Sequence, residues 1–243
     1  RDQINMIALA GKKYTKDECF WRISKPMILT SLKLTQFRNY HQLQINLSEG
    51  VNLVVGENAT GKTNILEAIY LLATGNSFRA GKIEEMVTWG EEVAHVIGEV
   101  HSKKDSETNG EDFQLRVTCT RGVVQGKRTA KRSFVLNGVN RRKSEVVGLM
   151  PAVLFSPEDM DLITGNPSLR RRYMDEVLVQ VDREYARSLA SYEKGLKRRN
   201  KLLDLIREGM VQRTTLAFWD QLLVKEGSLI TNARERLVAE INA

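Results

Sequence analysis

The sequence predicts an α/β fold: a P-loop nucleotide-binding domain whose sheet is mixed with an antiparallel β part, followed by a helical lobe. Three observations predict it. Residues 51–75, VNLVVGENATGKTNILEAIYLLATG, place an apolar strand, a glycine-bounded loop and an apolar helix in succession. The rest of residues 27–155 reads mainly as short alternating strands. Beyond residue 156 the spacing of apolar side chains becomes helical and stays so almost to the last residue.

From Met27, Leu32 and Leu34, then Leu43, Ile45 and Leu47, fall on alternate positions, as in a half-buried antiparallel pair. Ser48-Glu49-Gly50 turns the chain into residues 51–55, whose continuous apolar character predicts a strand covered on both faces. The next helix carries Ile65, Ile69 and Leu72 on one stripe with Leu66 beside them. Strands resume at 93–100 and 112–120, and in the second Phe113, Leu115, Val117 and Cys119 face one way while Gln114, Arg116 and Thr118 face the other. The polar run between them predicts an exposed loop. Asn137-Gly138 is a hairpin turn, since both residues tolerate positive φ. Ala152–Phe155 is the last apolar strand.

Ser156-Pro157-Glu158-Asp159 supplies a helix cap, a proline at the first helical position and early carboxylates. Gly165-Asn166-Pro167 ends that short helix and starts another. Tyr185, Leu189, Tyr192, Leu196, Leu203 and Ile206 then follow four-three spacing, with Arg199 as a polar intrusion. Leu216, Trp219, Leu223, Ile230, Ala233 and Leu237 repeat it. Two helices joined near Gly209, with a further break at Gly227, predict a packed hairpin whose stripes are core.

The 243 residues, 42% of them hydrophobic, suffice for one large domain or two small ones. The expected division is a leader or extension over 1–26, a nucleotide-binding head over 27–165 and a helical lobe over 166–243. A start at Arg1 and a stop within a helical pattern lead us to expect a fragment. Cys19 and Cys119 show no CxxC or histidine spacing, which excludes a disulfide framework or zinc site and fits a reducing compartment. His41, His95 and His101 show no metal spacing either. No apolar run is long enough to span a bilayer and no signal peptide is visible, so a cytoplasmic location is expected.

The net charge of +7 is concentrated. Residues 121–143 hold Arg121, Lys127, Arg128, Lys131, Arg132, Arg141, Arg142 and Lys143 and no acid, which leaves 37 − 8 = 29 bases against 30 acids elsewhere. Such a block points to a polyanionic partner; the alternative is a solvated hairpin kept soluble by its charge. Arg170, Arg171, Arg172, Lys197, Arg198, Arg199 and Lys201 form a second basic zone. No base-reading helix is evident, so backbone contact is the expected mode.

Gly56, Glu57, Asn58, Ala59, Thr60, Gly61, Lys62 and Thr63 match GxxxxGK[ST]. The loop must turn its amides inward around a phosphate, too close for a Cβ at the glycines. Lys62 then reaches the outer phosphates of ATP, Thr63 ligates Mg²⁺, and the helix beginning there presents its positive end. Hydrolysis also needs an acid at the end of a second buried strand, for which only Glu158 and Asp159 are near. Their place behind Ser156 and Pro157 favours helix capping instead. The absence of an LSGGQ-like signature argues against a transporter.

These motifs, with LKLTQFRNY, FVLNGVNRRK, LFSPEDMDLITGNPSLRRRYMD and YEKGLKRRNKLL, resemble the RecF family of SMC/ABC-type ATPases from Met27 to about Leu203. The resemblance implies an ABC/SMC-type ATPase head, with signature, Walker B and D-loop residues beyond Ala243. Arg38 and Asn39 of the FRNY turn would lie on the nucleotide side. Residues 156–159 would fall near a γ-phosphate-sensing loop. The resemblance further implies ATP and Mg²⁺ as cofactors, an ATP-dependent homodimer, and binding to single-stranded and gapped DNA. It implies work with RecR and RecO in loading RecA, a link to the SOS response, and weak DNA-stimulated ATP hydrolysis that this stretch alone would not support. Two other readings stand beside it: a P-loop kinase or transferase acting on a small molecule, and an SMC-like structural DNA tether.

Overall fold

A computed structural model describes Met6–Leu9, residues 27–102 and residues 112–242. The rest of the expected leader, Cys19 with it, and nearly all of the expected loop at 103–112 lie outside the described residues. The chain divides into two compact units, Arg1–Gly165 and Asn166–Ala243.

In the first unit the strands are β1 (Met6–Leu9), β2 (Met27–Phe37), β3 (Tyr40–Asn46), β4 (Val93–Ser102), β5 (Phe113–Thr120), β6 (Val123–Val124), β7 (Lys127–Arg128), β8 (Arg132–Leu136), β9 (Val139–Arg141) and β10 (Ala152–Phe155). Its helices are α1 (Lys62–Thr74), α2 (Lys143–Val146) and α3 (Asp161–Thr164). The main sheet has the order β3-β2-β4-β5-β8-β9. Every strand pairing among the described residues is antiparallel, so the mixed sheet expected from sequence is not found there. β1 pairs with β10, which brings a piece of the expected leader into the fold.

Strand β2 is the centre of the core. A register shift between Leu29 and Ser31 lets Leu29, Leu32 and Leu34 all point inward. Gln36, at φ 51°, adds a second irregularity that returns Phe37 to the same face. These side chains pack with Val96, Leu115 and Val117 of the sheet and Ala68, Leu71 and Leu72 of α1. Helix and sheet meet at Gly98, where a Cβ would stand 2.7 Å from Leu72 Cδ1 and 2.8 Å from Leu29 Cδ1. Gly98→Val is therefore expected to destabilise the protein by about 1–3 kcal/mol through overpacking. Urea unfolding measures this, and a loss below about 0.5 kcal/mol would mean the contact yields freely.

The segment read as a buried strand, residues 51–55, forms none. Val51, Leu53 and Val55 are 94%, 81% and 80% exposed. No described strand runs beside the segment, so its amides and carbonyls have no ladder to join. The side chain of Asn52 instead accepts from the Ser48 amide at 3.0 Å and donates to the Ser48 carbonyl at 2.8 Å, closing the preceding loop. Asn137 and Gly138 adopt φ of 49° and 80°, as the β8–β9 hairpin requires.

The second unit contains α4 (Pro167–Val181), α5 (Arg183–Arg207) and α6 (Ala217–Ile241). Asn166 caps α4 through the Ser168 amide, and Asp182 caps α5 through the amides of Glu184 and Tyr185. The hairpin of α5 and α6 closes through small residues. A Cβ on Gly195 would lie 3.1 Å from Leu222, and one on Gly227 would lie 3.4 Å from Tyr192. Gly227 thus serves close packing and does not break α6, contrary to the expectation from sequence. Leu196 and Leu203, placed in the stripe by spacing, are exposed, whereas Gly195 is buried. Arg199, the polar intrusion, pairs with Asp220 of α6 at 2.6 Å. Asp175 Oδ1 accepts from Arg234 at 2.7 and 2.9 Å and from the Tyr185 hydroxyl, tying all three helices together. Burial, reinforced by the Asp175 carboxylate, pushes the Tyr185 phenol well above its ordinary pKa.

Candidate nucleotide site

The loop of residues 56–60 is exposed and leads into the N-terminus of α1. Gly61 lies at φ 108°. A Cβ there would stand 2.7 Å from the Asn39 side-chain amide and the Tyr40 hydroxyl, so only glycine lets the loop close onto the β2–β3 turn. Ala59, at φ 64°, is also left-handed. Asn39 Nδ2 donates to the Thr60 carbonyl at 3.0 Å, and its Oδ1 accepts from Asn64 Nδ2. Thr60 Oγ1 donates to the Glu57 carbonyl at 2.8 Å. No side chain caps α1, which leaves its N-terminal end facing the loop with the positive pole of its dipole. Lys62 Nζ curls back and donates to the carbonyls of Gly56 and Glu57 at 2.6 and 2.7 Å.

Behind the loop lies a buried carboxylate. Glu67 is 0% exposed, in the middle of the apolar face of α1. Arg38 meets it in a two-pronged bond, Nε at 2.8 Å and Nη2 at 2.6 Å. Arg79 Nε donates to it at 3.0 Å, and Ser77 Oγ donates as well. Arg79 also reaches Asn64 Oδ1, and Arg38 Nη1 donates to the Glu85 carbonyl at 2.7 Å. Burial alone would raise the Glu67 pKa. Hydrogen bonds from Arg38 and Ser77, and the charges of Arg38 and Arg79, outweigh that and hold it below its ordinary value.

Arg38 and Asn39, paired in the sequence reading, have different employments. Asn39 touches the loop; Arg38 spends its donors on Glu67 and Glu85. Asp159 Oδ2 accepts from the Ser156 amide at 2.6 Å, as a cap does. Glu67, Asn64, Ser77, Arg79 and Tyr40 were not singled out from sequence, although an acid inside the apolar run of residues 65–73 is itself a signal.

The sequence profile of the RecF/RecN/SMC N-terminal domain matches residues 28–169, which include the loop, α1 and all of the main sheet but Met27. The chain belongs to this family. Among curated relatives, the DNA replication and repair protein RecF of Lachnospira eligens is 40% identical over 221 residues, covering 89% of this chain and 57% of the relative. That of Roseiflexus castenholzii is 37% identical over 236 residues, with the same coverage. The chain spans about half the length of the curated relatives it matches. Among solved structures, the RecF–ATP form of the recombination mediator of the RecFOR pathway superposes with a TM-score of 0.75 at 30% identity, covering 93% of this chain and 56% of that one. The RecF–ATPrS form gives 0.75 at 32% identity, with 88% and 55% covered.

Several of the eight bases of residues 121–143 have partners within the fold. Arg132 donates to the Gly75 carbonyl and Lys143 to Asn76 Oδ1 at 2.7 Å, placing two cations at the C-terminus of α1. Arg121 donates to the Glu91 carbonyl at 2.7 Å. Lys131 pairs with Glu84, and Arg141 with Glu145 at 3.7 Å. Lys127, Arg128 and Arg142 are exposed and without an acidic partner among the described residues. This chain therefore uses part of its basic stretch to hold its own fold together.

Proposed function

We propose that this chain is the nucleotide-binding part of a RecF-type protein that grips DNA in an ATP-dependent manner during replication and recombinational repair. One observation carries the proposal: a loop fixed by a left-handed Gly61 against Asn39, with an uncapped helix end and the Lys62 ammonium beside it. The residues present fit a triphosphate. Lys62 would exchange the carbonyls of Gly56 and Glu57 for phosphate oxygens, the amides of residues 56–63 would line the phosphates, and Thr63 would hold Mg²⁺. ATP supplies the charge on which a second copy can close. The RecF–ATP and RecF–ATPrS likenesses support this choice of nucleotide.

The partners proposed are gapped or junction DNA, a second copy of the chain when ATP is bound, and RecO, RecR and RecA in the intact pathway, with a tie to the SOS response and a cytoplasmic location. ATP turnover is slow and stimulated by DNA. Lys127, Arg128 and Arg142, the open bases, are the first candidates for phosphate contact; Arg121, Lys131, Arg132, Arg141 and Lys143 have structural partners and follow behind. The test is retention of gapped duplex by the intact protein with and without MgATP. MgATP is expected to tighten retention about tenfold or more. Retention indifferent to MgATP would contradict the proposal, and phosphoryl transfer to a small molecule without any DNA response would replace it with a kinase.

A further inference from the structure

Trp89 is 92% exposed. Large apolar side chains scattered singly over a surface need no explanation. This one stands on a turn that the fold holds in place from several sides. The Glu91 amide donates to the Thr88 carbonyl at 3.0 Å, and Gly90 supplies the φ of 87° that the turn needs. Thr88 donates its amide to the Gln36 carbonyl and its hydroxyl to the Arg38 carbonyl, both at 2.9 Å. Arg121 reaches the carbonyls of Glu91, Val87 and Thr88 at 2.7, 3.4 and 3.3 Å. Its guanidinium carbon lies 5.8 Å from the centre of the Trp89 ring, so a cation covers part of one face.

A basic hairpin is tied to the same segment of chain. The Gln125 amide, at the tip of the β6–β7 hairpin, donates to the Glu92 carboxylate at 2.8 Å. That contact ties the hairpin that carries Lys127 and Arg128 to Glu92, which directly follows the Trp89 turn. Of the acids in this region, Glu92 is engaged by Gln125 and Glu84 by Lys131; Glu91 stands near the turn with its own charge.

A rigid, solvent-facing indole flanked by an arginine and a basic hairpin is the constellation that binds unpaired nucleic acid. Each base offers a π-face to the ring while the cations follow the backbone. Little conformational freedom remains to be lost at the turn when a ligand docks. We infer that Trp89 is a stacking platform for an unpaired base of single-stranded nucleic acid, with Arg121 behind the ring and Lys127 and Arg128 on the backbone. The inference deepens the DNA-binding function proposed above and rests on it. The turn is hydrogen-bonded to the backbone of Arg38, the immediate neighbour of the Asn39 that holds the nucleotide loop, so the turn and the loop are anchored on adjacent residues.

The test compares binding of the intact protein to labelled oligo(dT) and to a blunt duplex of equal length, over a salt series. Trp89→Ala is expected to weaken oligo(dT) binding about tenfold, to leave the duplex within twofold, and to keep the salt slope unchanged. Trp89→Phe should recover most of the loss, and Lys127→Ala with Arg128→Ala should weaken both ligands and flatten the salt slope. Circular dichroism and MgATP binding check that Trp89→Ala is folded, with Trp89→Phe read in its place if it is not. Oligo(dT) binding unchanged in Trp89→Ala, an equal loss on both ligands, or lowered self-association as the only change would each overturn the inference. Failure of the wild type to bind any DNA would remove the proposed function as well, which separates the two.

Discussion

Replacing Glu67 with alanine is expected to lower the unfolding free energy by about 3–5 kcal/mol. The carboxylate is fully buried and is the common acceptor of Arg38, Arg79 and Ser77. Removing it strands two guanidinium groups, one of them mostly sheltered from water, with no anion to meet them. The loss is a large share of the roughly 5–15 kcal/mol that holds a typical domain. Glu67→Gln keeps the shape and an acceptor, so it should lose less. The pH dependence follows the depressed pKa. The unfolded carboxylate protonates near its ordinary value and the folded one only below it. The stabilisation is thus full at neutral pH and is lost as pH falls below the ordinary carboxylate range towards the folded pKa. Urea unfolding at pH 7 and at stepped acid pH measures both effects. A loss under about 1 kcal/mol in Glu67→Ala, or an unchanged pH profile in Glu67→Gln, would contradict the assigned role.

Removing the Lys62 amine has the opposite signature: little change in stability and a large change in ligand binding. Its ammonium donates only to exposed loop carbonyls, which water can serve in its place. Against a triphosphate the same group makes charge-assisted bonds worth about 1.5–3 kcal/mol each, offset by the carbonyl contacts it must leave. Lys62→Ala should therefore weaken ATP binding by about 10- to 100-fold while the urea midpoint stays within experimental error. A variant that unfolds in parallel with its loss of ATP would show that Lys62 is a structural prop.

Much of the fold was legible because its signals are local. Alternation marked β2, β3, β4 and β5, Asn137-Gly138 marked a hairpin, and four-three spacing marked α5 and α6. The step from the loop at residues 56–61 into α1 was legible too, since glycine spacing and a following helix are contained within a few residues. What escaped depends on partners distant in sequence. Glu67 meets Arg38 across 29 residues, so no local pattern names its partner. Counting charges gave all eight bases of 121–143 equal weight, yet Lys131, Arg132 and Lys143 find their partners 47, 57 and 67 residues away. Residues 51–55 failed for the same reason, because an apolar run becomes a strand only where another strand lies beside it. The irregularities near Leu29 and at Gln36, which keep β2 facing the core, leave no mark in a simple alternation.

The central claim is that residues 56–63 form a working triphosphate grip. Calorimetric titration of MgATP into the intact protein, beside Lys62→Ala under the same conditions, tests it most directly. The expected result is a saturable heat from a single class of site in the wild type and a binding curve at least about tenfold weaker in the variant. A wild type with no heat of binding, or a folded Lys62→Ala with an identical isotherm, would contradict it.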